Sequence, residues 1–367
     1  MTGFFTLNHQ NFTYESIKSG DFTSKELDEY SLNTLSFCQA WLKGETSFII
    51  QTSGSTGKPK PITLTREQMK ASAQMTGKAL QLDAGDSSFT CLNTAYIAGI
   101  MMLVRGFELG LQMTIVTPSS NPLQHWDSPP TFDFTALVPL QVEAILEQEN
   151  GEQWLNTMKA MIVGGAPVNY ALEQQIKTLD APVYATYGMT ETVTHIALRR
   201  INGVNSDGYY HTLPQVEIRQ DARQCLEIKS PTTLNEWITT NDLVTITGDN
   251  QFKWLGRIDR VINSGGVKIQ AEKVEKVLEK TLHQHQFSCR FFVASIPDER
   301  LGEKVIGVLE GNSLDETLKI NLFETMKAQL SAYEVPKQLY VVPQFAETPT
   351  AKIDRLRTLE YLQSDLG

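Results

Sequence analysis

Between residues 88 and 185, short apolar runs of strand length alternate with longer amphipathic stretches, and no other feature of the chain restricts its fold as tightly. The strand-like runs fall at residues 88–92, 113–116, 136–138, 158–163 and 183–185, with helical patterns such as residues 66–80 and 141–149 between or before them. A chain that keeps switching from a period of 2 to one of 3.6 lays its strands side by side in one direction and returns through helices on the sheet faces. The expectation is an α/β fold with a largely parallel sheet. At 367 residues the chain also exceeds the size at which one hydrophobic core stops growing, which predicts at least two domains.

The flanks follow different patterns. In the N-terminal region Leu32, Leu35, Cys38, Trp41 and Leu42 recur at helical spacing, and residues 48–52 then read as a buried strand running into a loop. From residue 193 to 267 the runs shorten and alternate between turn signals, as at residues 211–219 and 225–229, which predicts an antiparallel or barrel-like section. Past Gly256 come a hairpin at residues 260–269 and a helix with Val274, Val277, Leu278 and Leu282 on one face. Strands at residues 291–295 and 305–309, a helix at residues 314–330 and a strand at residues 338–342 complete a compact α+β unit. The expected division is a large, mixed α/β domain at residues 1–256 and a small α+β domain at residues 257–367.

A formal net charge of -10 argues against a nucleic-acid partner, because phosphate-backbone binding draws on a positive surface. The cysteines Cys38, Cys91, Cys225 and Cys289 lie far apart without a CxxC pair, so neither a zinc site nor a disulfide framework is expected. Residues 1–10 lack the pattern of a targeting signal, and the most apolar stretch, residues 96–111, is interrupted by Arg105 and Glu108. A cytoplasmic protein without a membrane span is the expectation.

The loop after residue 51 is the first place where chemistry concentrates. Thr52, Ser53, Gly54, Ser55, Thr56, Gly57 and Lys58, followed by Pro59 and Lys60, put hydroxyls, glycines and lysines into one short segment. Such a loop can turn backbone N–H groups and side-chain donors toward phosphate oxygens, with the glycines allowing close approach. It is not a Walker A loop, since Gly54 and Gly57 stand too close and Pro59 follows Lys58. Taken alone, it also reads as a polar turn.

Five further motifs follow in order: GGAP from Gly164, YGMTET from Tyr187, TNDL from Thr240, GRIDRVINSGG from Gly256 and PTAKI from Pro349. Together with the loop at Thr52 they resemble the signatures of the adenylate-forming superfamily of acyl-CoA synthetases, peptide-synthetase adenylation domains and luciferases. The resemblance implies ATP, Mg²⁺, coenzyme A and a small carboxylic acid as ligands. It places Gly165 and Ala166 at the nucleotide with the phosphate loop, the Tyr187 ring against the purine and the Thr190 hydroxyl at the α-phosphate. Glu191 becomes the magnesium ligand, as a hard carboxylate suits that ion, and Asp242 the ribose carboxylate. Arg257 reaches the nucleotide, Asp259 is the hinge to a mobile C-terminal domain, and Ser264, Gly265 and Gly266 meet the pantetheine arm. Lys352 matches the catalytic lysine, although Ala351 stands where the family commonly has Gly.

Two departures bear on the acid. Tyr96 and Gly99 form Tyr-Ile-Ala-Gly where many relatives carry His-x-x-Gly, and the phosphate loop begins near residue 52 where most have well over a hundred residues before it. The chain thus resembles a shortened form, similar to o-succinylbenzoate–CoA ligases of menaquinone synthesis, with Tyr96, Gly99, Gly164 and His195 as pocket residues. Delivery of the acyl group to a carrier protein, another aryl or acyl acid, and a non-catalytic nucleotide-binding relative are the alternatives. The oligomeric state stays open.

Overall fold

The computed structural model describes residues 3–24, 26–51, 61–348 and 353–366. The loop holding Thr52, Ser53, Gly54, Ser55, Thr56, Gly57 and Lys58 lies outside them, as do Ala351 and Lys352.

The alternating region forms the expected parallel core. Its strands Ser87–Thr90, Gln112–Ile115, Phe134–Leu137, Ala160–Val163 and Val183–Gly188 pair in parallel. Phe134–Leu137 and Ala160–Val163 are buried at every position, as strands covered on both faces should be. Leu137, Met161 and Val163 pack to one side with Val142, Ile145 and Leu172. Phe134, Ala136, Ala160 and Ile162 pack to the other with Met75, Leu80 and Met102. Helix Arg66–Leu80 starts where expected because Thr65 and Gln68 form a reciprocal capping box. The later helix runs Pro139–Leu146 rather than residues 141–149, since Pro139 suits the first turn.

Two additions extend this core into one sheet of 13 strands among the described residues. Strand His195–Arg200 folds back antiparallel on Val183–Gly188, and the sheet continues through Tyr210–Thr212, Gln251–Arg257, Ile238–Ile246 and Cys225–Lys229 to Glu217–Gln220. The antiparallel section is therefore a continuation of the parallel sheet. At the other edge, strand Phe4–Leu7 pairs in parallel with Gln112–Ile115 and in a hairpin with Gln10–Thr13. That hairpin was not evident from the sequence. Its turn is Asn8-His9, both at positive φ, without the glycine that usually signals a two-residue turn.

The strands Ser47–Gln51 and Pro61–Thr65 form a separate antiparallel ribbon on either side of residues 52–60. After Arg257 the chain enters a second sheet built from Val261–Ser264, Val267–Gln270, Phe291–Asp298, Gly302–Glu310 and Gln338–Val342. Helices Ala271–Gln284 and Glu316–Lys327 pack on it, with a core of its own around Val274, Leu278, Leu322 and Met326. Glu316–Lys327 begins later than expected because Asp315 caps it, accepting from the Leu318 N–H at 3.0 Å. Among the described residues no helix is long and apolar enough to cross a membrane.

Candidate active site

Open α/β sheets hold ligands at the carboxyl ends of their parallel strands, and four of the six motif segments gather around that edge. Gly164 follows strand Ala160–Val163, its N–H donating to the Leu137 carbonyl at 3.1 Å. A Cβ on Gly164 would stand 2.2 Å from Thr186 Oγ1, so only glycine lets these strand ends approach. Gly165 turns the chain at φ 82, and Ala166 is exposed beyond it.

The neighbouring strand Val183–Gly188 runs straight into a single 3₁₀ turn, Thr190–Thr192. The buried Thr192 hydroxyl organises this turn, donating toward the Met189 and Thr194 carbonyls and accepting from the Met189 N–H at 3.1 Å. Next, Val193 sits at φ 66 and ψ −63, and the Thr194 N–H donates to the Thr192 carbonyl at 2.8 Å. This is a γ-turn of the strained, positive-φ kind, in a β-branched residue held by full burial. Its effect is to send Thr190 and Glu191 outward and Thr194 and His195 inward. Glu191 is exposed and makes no hydrogen bond or ion pair with the described residues. Mg²⁺ commonly takes one or two carboxylates plus substrate phosphate oxygens, so an exposed glutamate carboxylate fits that donor set.

Tyr187, Asp242, Arg257 and Asp259 are brought together across the sheet. The Tyr187 hydroxyl donates to Asp242 Oδ2 at 2.6 Å, and Trp254 Nε1 donates to Asp242 Oδ1 at 3.1 Å. Burial first, and then the Asp242 charge, push the Tyr187 phenol far above its ordinary range, so it remains a donor. Asp242 stands opposite Arg257 in the strand register, and the Arg257 guanidinium grips Asp259 through Nε at 3.0 Å and Nη2 at 2.6 Å. Gly256 precedes this pair at φ 144, where a Cβ would meet Glu272 Oε2 at 2.5 Å.

The inward side of the turn holds a buried polar cluster. Thr194 Oγ1 lies 2.9 Å from Ser72 Oγ, and His195 Nε2 lies 3.1 Å from Thr76 Oγ1. Arg105, only 2% exposed in helix Ile97–Leu109, reaches Thr194 Oγ1 through Nη2 at 3.4 Å. It has no carboxylate partner among the described residues, and its Nε is buried without an acceptor. Burial lowers its pKa to about 10, leaving it cationic near neutrality. Tyr96 caps the start of the same helix and is 47% exposed. A Cβ on Gly99 would lie 2.4 Å from the Asn93 carbonyl, so this glycine lets the helix close on that loop.

Burial, and then the Arg105 charge, hold the His195 imidazole well below its ordinary 6.5. The unfolded chain therefore takes up a proton that the folded chain refuses, and stability falls as pH drops below 6.5. One such group contributes at most about 1.4 kcal/mol per pH unit. His195→Gln should accordingly show a smaller loss of stability between pH 7 and 5 than the parent, read from urea unfolding at each pH. Equal losses would mean that His195 titrates normally.

Not every expected residue joins this edge. Ser264, Gly265 and Gly266 lie in the second sheet, where both glycines have positive φ and turn the hairpin between Val261–Ser264 and Val267–Gln270. The Ser264 hydroxyl is buried without a partner among the described residues, and the Gly265 N–H donates to the Leu301 carbonyl at 2.8 Å. Arg105, Trp254 and Val193 were not singled out from sequence. Arg105 left one trace, a charge that with Glu108 interrupts an otherwise apolar helix.

Residues 13–224, more than half of the chain, match the family model described as AMP-binding enzyme. The chain belongs to that family. An acyl-CoA synthetase (AMP-forming)/AMP-acid ligase II-like protein from Dyadobacter fermentans is 42% identical in a structural comparison covering 99% of this chain and 100% of that one, with a TM-score of 0.64. The 2-succinylbenzoate–CoA ligase of Bacillus cytotoxicus is 25% identical across 96% of this chain and 76% of its own length. The o-succinylbenzoate coenzyme A synthetase of Bacillus subtilis, solved with ATP and magnesium ion, shares the fold at 22% identity and a TM-score of 0.68, over 85% of this chain and 69% of that one. This AMP-binding enzyme is accordingly an AMP-forming acid ligase.

Proposed function

We propose that this enzyme activates an aromatic dicarboxylic acid, 2-succinylbenzoate, as its acyl-adenylate and transfers the acyl group to coenzyme A. The observation that carries the choice of acid is Arg105, a buried cation with no counter-ion among the described residues, beside Thr194 and His195. An uncompensated buried guanidinium is costly unless something neutralises it. A substrate with one carboxylate to react and a second to remain ionised supplies that partner. A fatty acid, with a single carboxylate and an apolar tail, does not. The names of the relatives agree with this reading.

In the first step a carboxylate oxygen attacks the α-phosphorus of ATP and the bond to pyrophosphate breaks. In the second the coenzyme A thiolate attacks the acyl carbon and AMP leaves. Asp242 accepts from the ribose hydroxyls, the Tyr187 ring lines the adenine side, and Gly164, Gly165 and Ala166 let the nucleotide approach the strand ends. Thr190 offers its hydroxyl to the α-phosphate, as do donors of the loop from Thr52 to Lys58. Glu191 would hold Mg²⁺, which neutralises phosphate charge when bound. Residues 257–367 act as a moving domain: Arg257 leaves Asp259 to reach the nucleotide, and Ser264 to Gly266 later meet the pantetheine arm. Lys352 serves the adenylation step.

The test is coenzyme-A-dependent AMP release over 2-succinylbenzoate, benzoate, acetate and a long fatty acid, with a blank lacking acid. Turnover of 2-succinylbenzoate should exceed that of the fatty acid by on the order of 10⁴, the scale of discrimination when buried polar groups of a site are left unpaired. Equal or better use of the fatty acid overturns this choice of acid and leaves the ligase class in place.

Glu191→Gln keeps shape and polarity but removes the charge that suits a hard cation. Adenylation should fall, and its apparent magnesium requirement should rise. Full rate at low magnesium would make Glu191 a structural residue only.

A further inference from the structure

We infer that Trp254 is a positioning residue for the nucleotide ribose: a β-bulge at Leu255 brings its indole onto the face of Asp242, where the indole N–H and the Tyr187 hydroxyl clamp the two carboxylate oxygens. The inference rests on the reading of Asp242 as the ribose carboxylate and names the residue that aims it.

The register shows how the clamp arises. Asp242 stands opposite Arg257 and Leu243 opposite Gly256, but Val244 stands opposite Trp254, so Leu255 is the extra residue. Directly opposed residues share a face, and successive residues alternate faces. In an unbroken ladder Val244 would face Leu255, and Trp254 would face Thr245, on the side away from Asp242. One inserted residue reverses this and places Trp254 on the same side as Asp242 and Val244.

The hydrogen bonds are then of a directed kind. An indole N–H can only donate, and Tyr187 stays protonated, so each Asp242 oxygen receives one donor, at 3.1 Å from Trp254 and 2.6 Å from Tyr187. The Asp242 N–H is itself tied to Thr240 Oγ1 at 3.0 Å. A carboxylate offers about four lone-pair sites, two on each oxygen. Two are committed by the clamp, and the remaining pair, one on each oxygen, suits two neighbouring hydroxyls. Trp254 is 37% exposed, so its main duty is not core packing.

The experiment compares adenylation by pyrophosphate release with ATP and with 2′-deoxy-ATP, in the parent, Trp254→Phe and Asp242→Asn enzymes. Thermal unfolding of each variant accompanies it, with Trp254→Phe expected to unfold like the parent because the site is exposed. Loss of one donor to an orienting carboxylate should lower the preference for ATP over 2′-deoxy-ATP by about tenfold in Trp254→Phe, mainly through KM. Asp242→Asn should lower the same ratio further. If the ratio falls only in Asp242→Asn, the inference about Trp254 is overturned while the ribose role of Asp242 stands. If Asp242→Asn leaves the ratio unchanged, the ribose reading fails and the inference falls with it. A Trp254→Phe enzyme that slows equally with both nucleotides would show a general structural role and also overturn the inference.

Discussion

Lys352→Ala should lower adenylate formation by on the order of 10² to 10³, the usual cost of removing one preorganised donor from the point where charge develops. Thioester formation from preformed acyl-adenylate should persist, because nothing assigned to the second step is touched. The expectation comes from the PTAKI motif, since Lys352 lies outside the described residues. The half-reactions separate by pyrophosphate release without coenzyme A and by thioester yield from supplied adenylate. Equal loss in both would give Lys352 a role in folding or in domain contact. Unchanged adenylation would mean that the motif is not the catalytic loop.

The second large effect belongs to Arg105→Met. The long thioether side chain fills most of the space and removes the buried charge, so thermal stability should hold or rise, as when buried charges give way to apolar residues of similar volume. Activity should move the other way. Losing one partner of a buried, hydrogen-bonded charge pair with substrate should lower kcat/KM for 2-succinylbenzoate by on the order of 10² or more. Acids without a second carboxylate should lose far less. The pairing of lost activity with retained stability is the signature, measured by AMP release and thermal unfolding on the same preparation. A large drop in stability would show that Arg105 is a structural group whose partner lies within the protein.

Much of the architecture was legible because it is written in local periodicity. The parallel strands, the helix at Arg66–Leu80 and the order of elements after Gly256 followed from apolar spacing, and the structure places them within a few residues. The motif segments were legible through their resemblance to the signatures of a family, whereas the steric needs of Gly164 and Gly256 come from Thr186 and Glu272, which only the fold brings beside them. Short segments were harder. The Phe4–Leu7 and Gln10–Thr13 hairpin carries only four residues per strand and turns on Asn8-His9, so its signal was below that of a loop.

By itself, then, the sequence determined the alternating α/β core, the small C-terminal α+β unit and the chemical character of the motif residues. Only the tertiary structure decided which of those residues meet. Arg105 could be read as a break in an apolar run, but its isolation depends on Ser72, Thr76, Thr194 and His195, which arrive from two other elements. Trp254 could be read as one more strand residue, and its face was set by a single inserted residue opposite Val244. Periodicity acts over a few neighbouring residues, whereas burial without a counter-ion and the register of a bulged ladder arise from contacts between distant segments, so they exist only once the sheet has closed.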